Sequence, residues 1–290
     1  MYIQNRRNSS KFNGCSPLQN RNGLIGLKPA IAYFAYTKRY PPLKMENQIH
    51  IDRDFGWFIG DFDNNRLHRH YAIQLNIPIE GKVILRTNED EVESEDPILI
   101  KSNVTHQVIS NNRQFLLLIN PASTIGHFWN HLSDKDIQEI NLSPATDLKR
   151  VLIDTNQQQV PDKELNSIIK KHDCFCNSAI HKGDERINSA LVYLSNHFDR
   201  IVPLDEIADY CHVSTSRFLH LFKEETGITY RRAQLWNKLL KGMPQFGKRS
   251  LTEIAHGVGF SDSAHLSKIF KENFGFSPRE FLKISQFIQV

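Results

Sequence analysis

Leu251–Phe281 reads LTEIAHGVGFSDSAHLSKIFKENFGFSPREF, and Leu204–Thr229 reads LDEIADYCHVSTSRFLHLFKEETGIT. The two stretches are copies of one design. Each opens on L-x-E-I-A and closes on F-K-E followed by a glycine three residues later. The offset between copies is 47 residues at the start and 48 at the end, so the second copy carries one extra residue in its turn or its second helix. An internal repeat of this kind is the most specific feature of the chain.

Each copy has the pattern of two helices joined by a tight turn. Leu204, Ile207 and Ala208 fall at i, i+3 and i+4 and form one apolar face, and small Ala208 lets a second helix approach. Val213 fills the turn and Ser214 is a good N-cap for the helix that follows. That helix buries Phe218, Leu221 and Phe222, and Gly227 stops it. In the second copy the corresponding faces are Leu251, Ile254, Ala255 and then Leu266, Ile269, Phe270. Gly257 and Gly259 make its turn, Phe260 plugs it, Ser261 caps and Gly275 stops. The predicted units are 204–226 and 251–274, with a linker helix over 229–242 that Pro244 and Gly247 terminate. Such helix pairs seat the second helix in the DNA major groove. A plain helical bundle fits one copy as well; two in tandem favour the DNA reading.

Charge agrees with that reading. From Arg217 to Arg249 there are eight basic residues and only two acidic ones, Glu224 and Glu225, which makes a local footprint for phosphates. Over all 290 residues the net charge is only +4, and the 40% hydrophobic content is that of an ordinary globular chain. No run approaches the ~18 apolar residues of a membrane span. Met1–Lys11 is polar and basic, so no cleaved secretory signal is expected. Leu24–Tyr36 is apolar but broken by Lys28 and Pro29, and reads as a strand or turn. Cys15, Cys174, Cys176 and Cys211 lack the spacing of a zinc knuckle or thioredoxin motif. Reduced thiols in a cytoplasmic protein are the expectation, with a metal site using His172 and His181 as the rival. Neither a P-loop nor a G-x-G-x-x-G fingerprint is present, and no Ser-His-Asp or Cys-His arrangement is readable.

The predicted fold class is α+β. Residues 1–45 form an irregular extension. Residues 46–182 form a β-barrel, with strands near 55–62, 70–76, 82–87, 97–100 and 114–119 and turns at Asp63-Asn64-Asn65, Asn88-Glu89-Asp90 and Asn111-Asn112. Helices follow near His127–Leu132 and Lys163–Lys171. Thr155–Gln159 and Ser178–Asp184 are linker candidates, and residues 183–290 are helical.

Residues 186–284 resemble the DNA-binding domain of the AraC/XylS transcription regulators. The I-A at Ile254-Ala255, the G-F at Gly259-Phe260 and the run Phe270–Pro278 carry the likeness. The resemblance implies seven helices and two units reading adjacent major-groove segments of double-stranded DNA. Carried over, the base-reading positions are Thr215, Ser216, Leu219, His220, Ser263, Ala264, Ser267 and Lys268. Helical geometry agrees, since these positions alternate with the buried ones. Lys268 is the sharpest candidate, because a groove-facing Lys reads guanine whereas Ser is less choosy. Arg217, Arg231, Arg232, Lys241, Lys248, Arg249 and His265 are the phosphate candidates. One departure stands in the linker helix, where the family has an Arg-Leu pair with an Ala three residues on. Here Leu235–Leu240 is followed by Lys241-Gly242-Met243-Pro244, which puts the angle between the units in doubt.

The N-terminal part resembles the cupin-type sensor of the same family. The likeness lies in His68-Arg69-His70, Gln74, Gly81 and the stretch Pro97–His106. His68, His70, Gln74 and His106 are then candidates for an effector pocket. A divalent metal on the three imidazoles and a purely structural barrel are the other two readings, and Gln74 stands where a metal cupin has Glu. The expectation is no cofactor and no metal, with a small-molecule effector allowed. The resemblance implies a homodimer, with RNA polymerase as a further partner and no membrane. Its rival is a cupin-type metalloenzyme with a helical appendage.

Overall fold

Strands form where β-branched and aromatic residues alternate, and here the alternation serves two cores at once. The computed structural model describes residues 47–60, 66–110, 112–154, 162–172 and 183–286. The predicted N-terminal extension, the turn at 63–65, the 155–159 linker, and Cys15, Cys174, Cys176 and His181 lie outside the described residues.

The β-rich region comprises β1 (Gln48–Ile51), β2 (Phe55–Gly60), β3 (Ile73–Pro78), β4 (Val83–Arg86), β5 (Glu91–Ser94), β6 (Ile98–Ile100), β7 (Gln107–Ile109) and β8 (Gln114–Ile119). Then come α1 (Thr124–Asn130), β9 (Ile137–Glu139), α2 (Ala145–Asp154) and α3 (Asp162–Lys171). All pairings are antiparallel. They build a six-stranded sheet in the order β1-β2-β8-β3-β6-β9 and a three-stranded sheet in the order β5-β4-β7. The predicted barrel is therefore realised as two sheets, and no strand ladder among the described residues closes them. β1 (QIHI), β5 (EVES), β7 (QVI) and β9 (IQE) lie outside the predicted strands: their polar residues leave no apolar run like that of the equally short β4 (VILR) and β6 (ILI).

The large sheet is a middle layer. Phe55, Trp57, Ile59, Leu75, Phe115 and Leu117 face one way and pack with Phe128, Trp129, Leu148 and Leu165 of α1–α3. The intervening Phe58 and Leu118 face the other way, into a core shared with Trp236, Leu239, Phe260, Leu266, Phe270 and Phe281 of the helical region. Period-two alternation makes this possible, because successive side chains leave opposite faces of a strand.

The helical region comprises α4 (Glu185–Asn196), α5 (Leu204–Tyr210), α6 (Thr215–Thr226), α7 (Tyr230–Gly242), α8 (Leu251–Gly257), α9 (Ser263–Phe274) and α10 (Pro278–Gln286). These are the seven helices that the family likeness implies. The turn between α5 and α6 spans 211–214 and that between α8 and α9 spans 258–262, so the extra residue of the second copy lies in the turn. It moves the cap: Ser214 accepts from the Arg217 N–H of α6, whereas Asp262 rather than Ser261 accepts from the His265 N–H of α9. Gly242 closes α7 where it touches α8; a methyl group there would meet Ile254 Cγ2 at 2.9 Å. Among the described residues no helix is long and apolar enough to cross a membrane.

Phe270 is fully buried and touches Phe246, Phe274, Phe276 and Phe281. Truncation to Phe270→Ala is expected to destabilise by about 3–5 kcal/mol, read from the urea midpoint of unfolding. A loss under about 1 kcal/mol would mean the aromatic cluster can collapse into the space.

Candidate nucleic-acid interface

The repeat decides which face of each second helix is free. On α6, Phe218, Leu221 and Phe222 are buried and pack with Ile207, Ala208 and Tyr230. Ser216, Arg217 and His220 are exposed, Leu219 is 40% exposed, and Thr215 is half-buried. On α9, Leu266, Ile269 and Phe270 are buried, Ala264 and Lys268 are exposed, and Ser263 and Ser267 are half-buried. All eight predicted base-reading residues thus sit on the N-terminal halves of the two helices, outside the cores.

The predicted phosphate contacts divide. Arg217, Arg231, Lys248 and Arg249 are exposed. Lys241 is half-buried, with its Nζ 5.6 Å from the Phe198 ring centre. His265 is hydrogen-bonded to Ser261 through Nδ1 and lies edge-on to Phe260. Arg232 is engaged elsewhere. Its side chain is 16% exposed, pairs with Glu272 at 2.7 Å and lies 4.2 Å above the Tyr71 ring centre. Sequence pattern could not show this, because Tyr71 belongs to the β-rich region. Lys238 donates to the Gly259 carbonyl at 2.8 Å, tying the linker helix to the second turn.

The C-terminal ends of both helices are covered by the β-rich region. The Tyr71 and Ala72 N–H groups donate to the carbonyls of Glu272 and Asn273 at 2.9 and 3.0 Å. Asn130 Nδ2 donates to the Glu225 carbonyl at 2.9 Å. The last carbonyls of a helix have no partner within it, so these bonds cap α9 and α6 from outside. Gly275 follows α9 with φ +84°, and a Cβ there would lie 2.8 Å from atoms of His68 and His70.

His68, His70 and His106 do come together, beneath that glycine. Their Nδ1 atoms lie 2.7, 3.1 and 2.9 Å from the carbonyls of Arg66, Ala72 and Val104, which leaves the Nε2 atoms facing inward. From His70 a buried polar chain runs through Gln74 and Asn76 to Gln114. His106 Nε2 is buried with no hydrogen-bond partner among the described residues. A separate open cleft lies between the large sheet and the second unit, lined by Phe58, Leu118, Trp236, Phe274 and Phe281 among others. None of the four predicted effector residues lines it.

A second cluster was not anticipated. His127 of α1 and His131, the C-cap of that helix, both point at Glu225 Oε2 of α6, at 2.7 and 2.9 Å. Burial pushes the Glu225 carboxyl up, but hydrogen bonds from the two imidazoles and the Asp184 N–H outweigh it and hold the group well below the usual carboxylate range. The His-x-x-x-His spacing on a predicted helix was the available signal; the carboxylate arrives from 94 residues away.

Burial pushes His70 down to about 3 and His106 down to about 4. Both are neutral when folded, whereas the unfolded chain protonates them near pH 6.5. Their contribution is intact above pH 6.5 and is lost as pH falls from there towards 4. Between those limits the wild type should lose about 1.4 kcal/mol per pH unit more than a His106→Gln variant, measured by urea unfolding across the pH series. Parallel slopes would contradict burial of a neutral His106.

Residues 207–284 match a family described as Helix-turn-helix domain. The HTH-type transcriptional activator RhaS of Enterobacter sp. (strain 638) is 25% identical over 190 residues, covering 63% of this chain and 66% of the relative. RhaS of Escherichia coli (strain K12 / DH10B) is 35% identical over 97 residues, covering 33% of this chain and 35% of the relative. The chain thus spans less than two thirds of the length of these curated relatives. Among solved structures, ToxT from Vibrio cholerae O395 is similar with a TM-score of 0.48 at 15% identity, covering 82% of this chain and 100% of that one. Residues 207–284 thus carry a helix-turn-helix domain, and the tandem units with their exposed helix halves are similar to the corresponding part of the RhaS activators.

Proposed function

We propose that this chain is a sequence-specific DNA-binding transcription regulator that reads duplex DNA with the N-terminal halves of α6 and α9. One observation carries the reading. Each half presents mainly polar or cationic side chains outward, with Leu219 and Ala264 among them, while its apolar face is locked in a core. Arg217, Arg231, Lys248 and Arg249 stand exposed to grip the phosphates. The RhaS relatives are named transcriptional activators, which favours activation, RNA polymerase as a partner and a cytoplasmic site of action. The family likeness supports a homodimer.

The β-rich region is read as the sensor. The apolar cleft between the large sheet and the second unit takes residues from both regions, so an apolar effector seated there would act directly on the core that holds α9. The rival, a cupin-type metalloenzyme, would use His68, His70 and His106. That donor set suits a divalent ion, since each Nδ1 is held by a carbonyl. Gly275 packs on two of the rings, however, so the position a substrate would need is covered by the helical region. This favours a non-enzymatic role.

The test is a gel shift and footprint on the chain's own upstream region over a salt series. Specific binding should weaken as salt rises, with a linear fall of log K against log salt. Lys268→Ala should lose about 1–3 kcal/mol on the specific site and much less on random duplex. Equal losses on both would make Lys268 a phosphate contact. Absence of salt-sensitive binding to that region and to a genomic fragment library would overturn the regulator reading.

A further inference from the structure

His127 lies in α1 and His131, four residues on, is its C-cap with near-helical backbone, so both imidazoles leave the same face. That face meets α6 at Glu225. The three ligand atoms form a small triangle: His127 Nε2 to Glu225 Oε2 is 2.7 Å, His131 Nε2 to the same oxygen is 2.9 Å, and the two nitrogens are 3.0 Å apart. The His127 side chain is fully buried, and those of Glu225 and His131 are 14% and 26% exposed. The Asp184 N–H also donates to Oε2, at 3.1 Å, and Asn130 holds the Glu225 carbonyl.

Protons serve this triangle poorly. If both nitrogens donate to the one oxygen, two N–H dipoles stand side by side 3.0 Å apart. If only one donates, the lone pair of the other faces a carboxylate at hydrogen-bond distance. A divalent cation removes both conflicts, because all three atoms then turn lone pairs toward it. Two imidazoles and a carboxylate are a donor set that zinc favours. A helical His pair at i, i+4 is a geometry that holds it. At metal–ligand distances of about 2.0–2.1 Å the edges of such a triangle open to about 3.3 Å, a shift of a few tenths of an ångström. Asp184 and Asn130 already fix the carboxylate and the backbone of Glu225, as outer partners of a metal ligand do.

We propose that His127, His131 and Glu225 form a zinc-type divalent-cation site that ties the β-rich region to the first DNA-reading helix. Two ligands come from one region and the third from the other, so the ion bridges α1 and α6. Among the described residues these three side chains make up the ligand set. The site stands independently of the DNA-binding reading, and its test contains no DNA.

The experiment uses the full chain, stripped with a chelator and dialysed, then titrated with Zn²⁺ against a chromogenic zinc chelator. One equivalent is expected to bind at this site, and zinc should raise the thermal midpoint. Glu225→Gln keeps the shape of the side chain and should weaken that equivalent about 100-fold or more, as should His131→Ala. The zinc-dependent rise in thermal midpoint should vanish in both. Titration with Co²⁺ should give tetrahedral ligand-field bands in the wild type that Glu225→Gln loses. Circular dichroism checks that each variant is folded, and Glu225→Gln alone decides if His131→Ala is not. No zinc binding to the wild type, or the same affinity and stoichiometry in the folded variants, would overturn the proposal.

Discussion

The ends of two helices govern this structure. A helix finishes with carbonyl groups that its own backbone cannot satisfy, and α6 and α9 both finish against the β-rich region. Tyr71 and Ala72 cap α9 through their N–H groups, and Asn130 caps α6 through its side-chain amide. The same contact draws in Arg232, which is paired with Glu272 and stacked on Tyr71. Holding a reading helix by its C-terminal end leaves its N-terminal half unobstructed, and that half enters the groove in helix-turn-helix proteins. Posture and exposure therefore have one cause.

The large sheet makes that contact rigid. Its odd-numbered side chains on β2 and β8 build the core with α1–α3, and Phe58 and Leu118 build another with the second unit. A sheet with apolar groups on both faces cannot hinge freely against either neighbour without exposing a core. Where β3 lacks apolar residues on its second face, Gln74, Asn76 and His70 form a hydrogen-bonded chain instead. The members of this chain partner one another, and His70 and His106 stay neutral because burial disfavours their charge. Beside this buried layer lies an open cleft lined from both regions.

Much of the helical region was legible. The i, i+3, i+4 spacing of Phe218, Leu221 and Phe222 and of Leu266, Ile269 and Phe270 needs only the helix period to be read. Gly227 and Gly275 adopt the left-handed conformation that ends a helix, and α7 ends at Gly242 ahead of Pro244. The cap of α9 was misplaced by one residue because the repeat does not say where an insertion sits. The β-rich region was half legible. Its apolar strands announced themselves, whereas β1, β5, β7 and β9 are short, mix in polar residues and are held by their neighbours.

By itself the amino-acid sequence determined the two repeated units, their buried faces and the outward positions of Ser216, His220, Ala264 and Lys268, because these depend on contacts within a few turns. Tertiary structure alone decided that Arg232 is spoken for, that Gly275 closes over His68 and His70, and that Glu225 meets His127 and His131. Each of those facts joins residues far apart in the chain. Local periodicity carries no record of which distant surface a side chain will meet, and only the packing of the sheet against both helical ends supplies it.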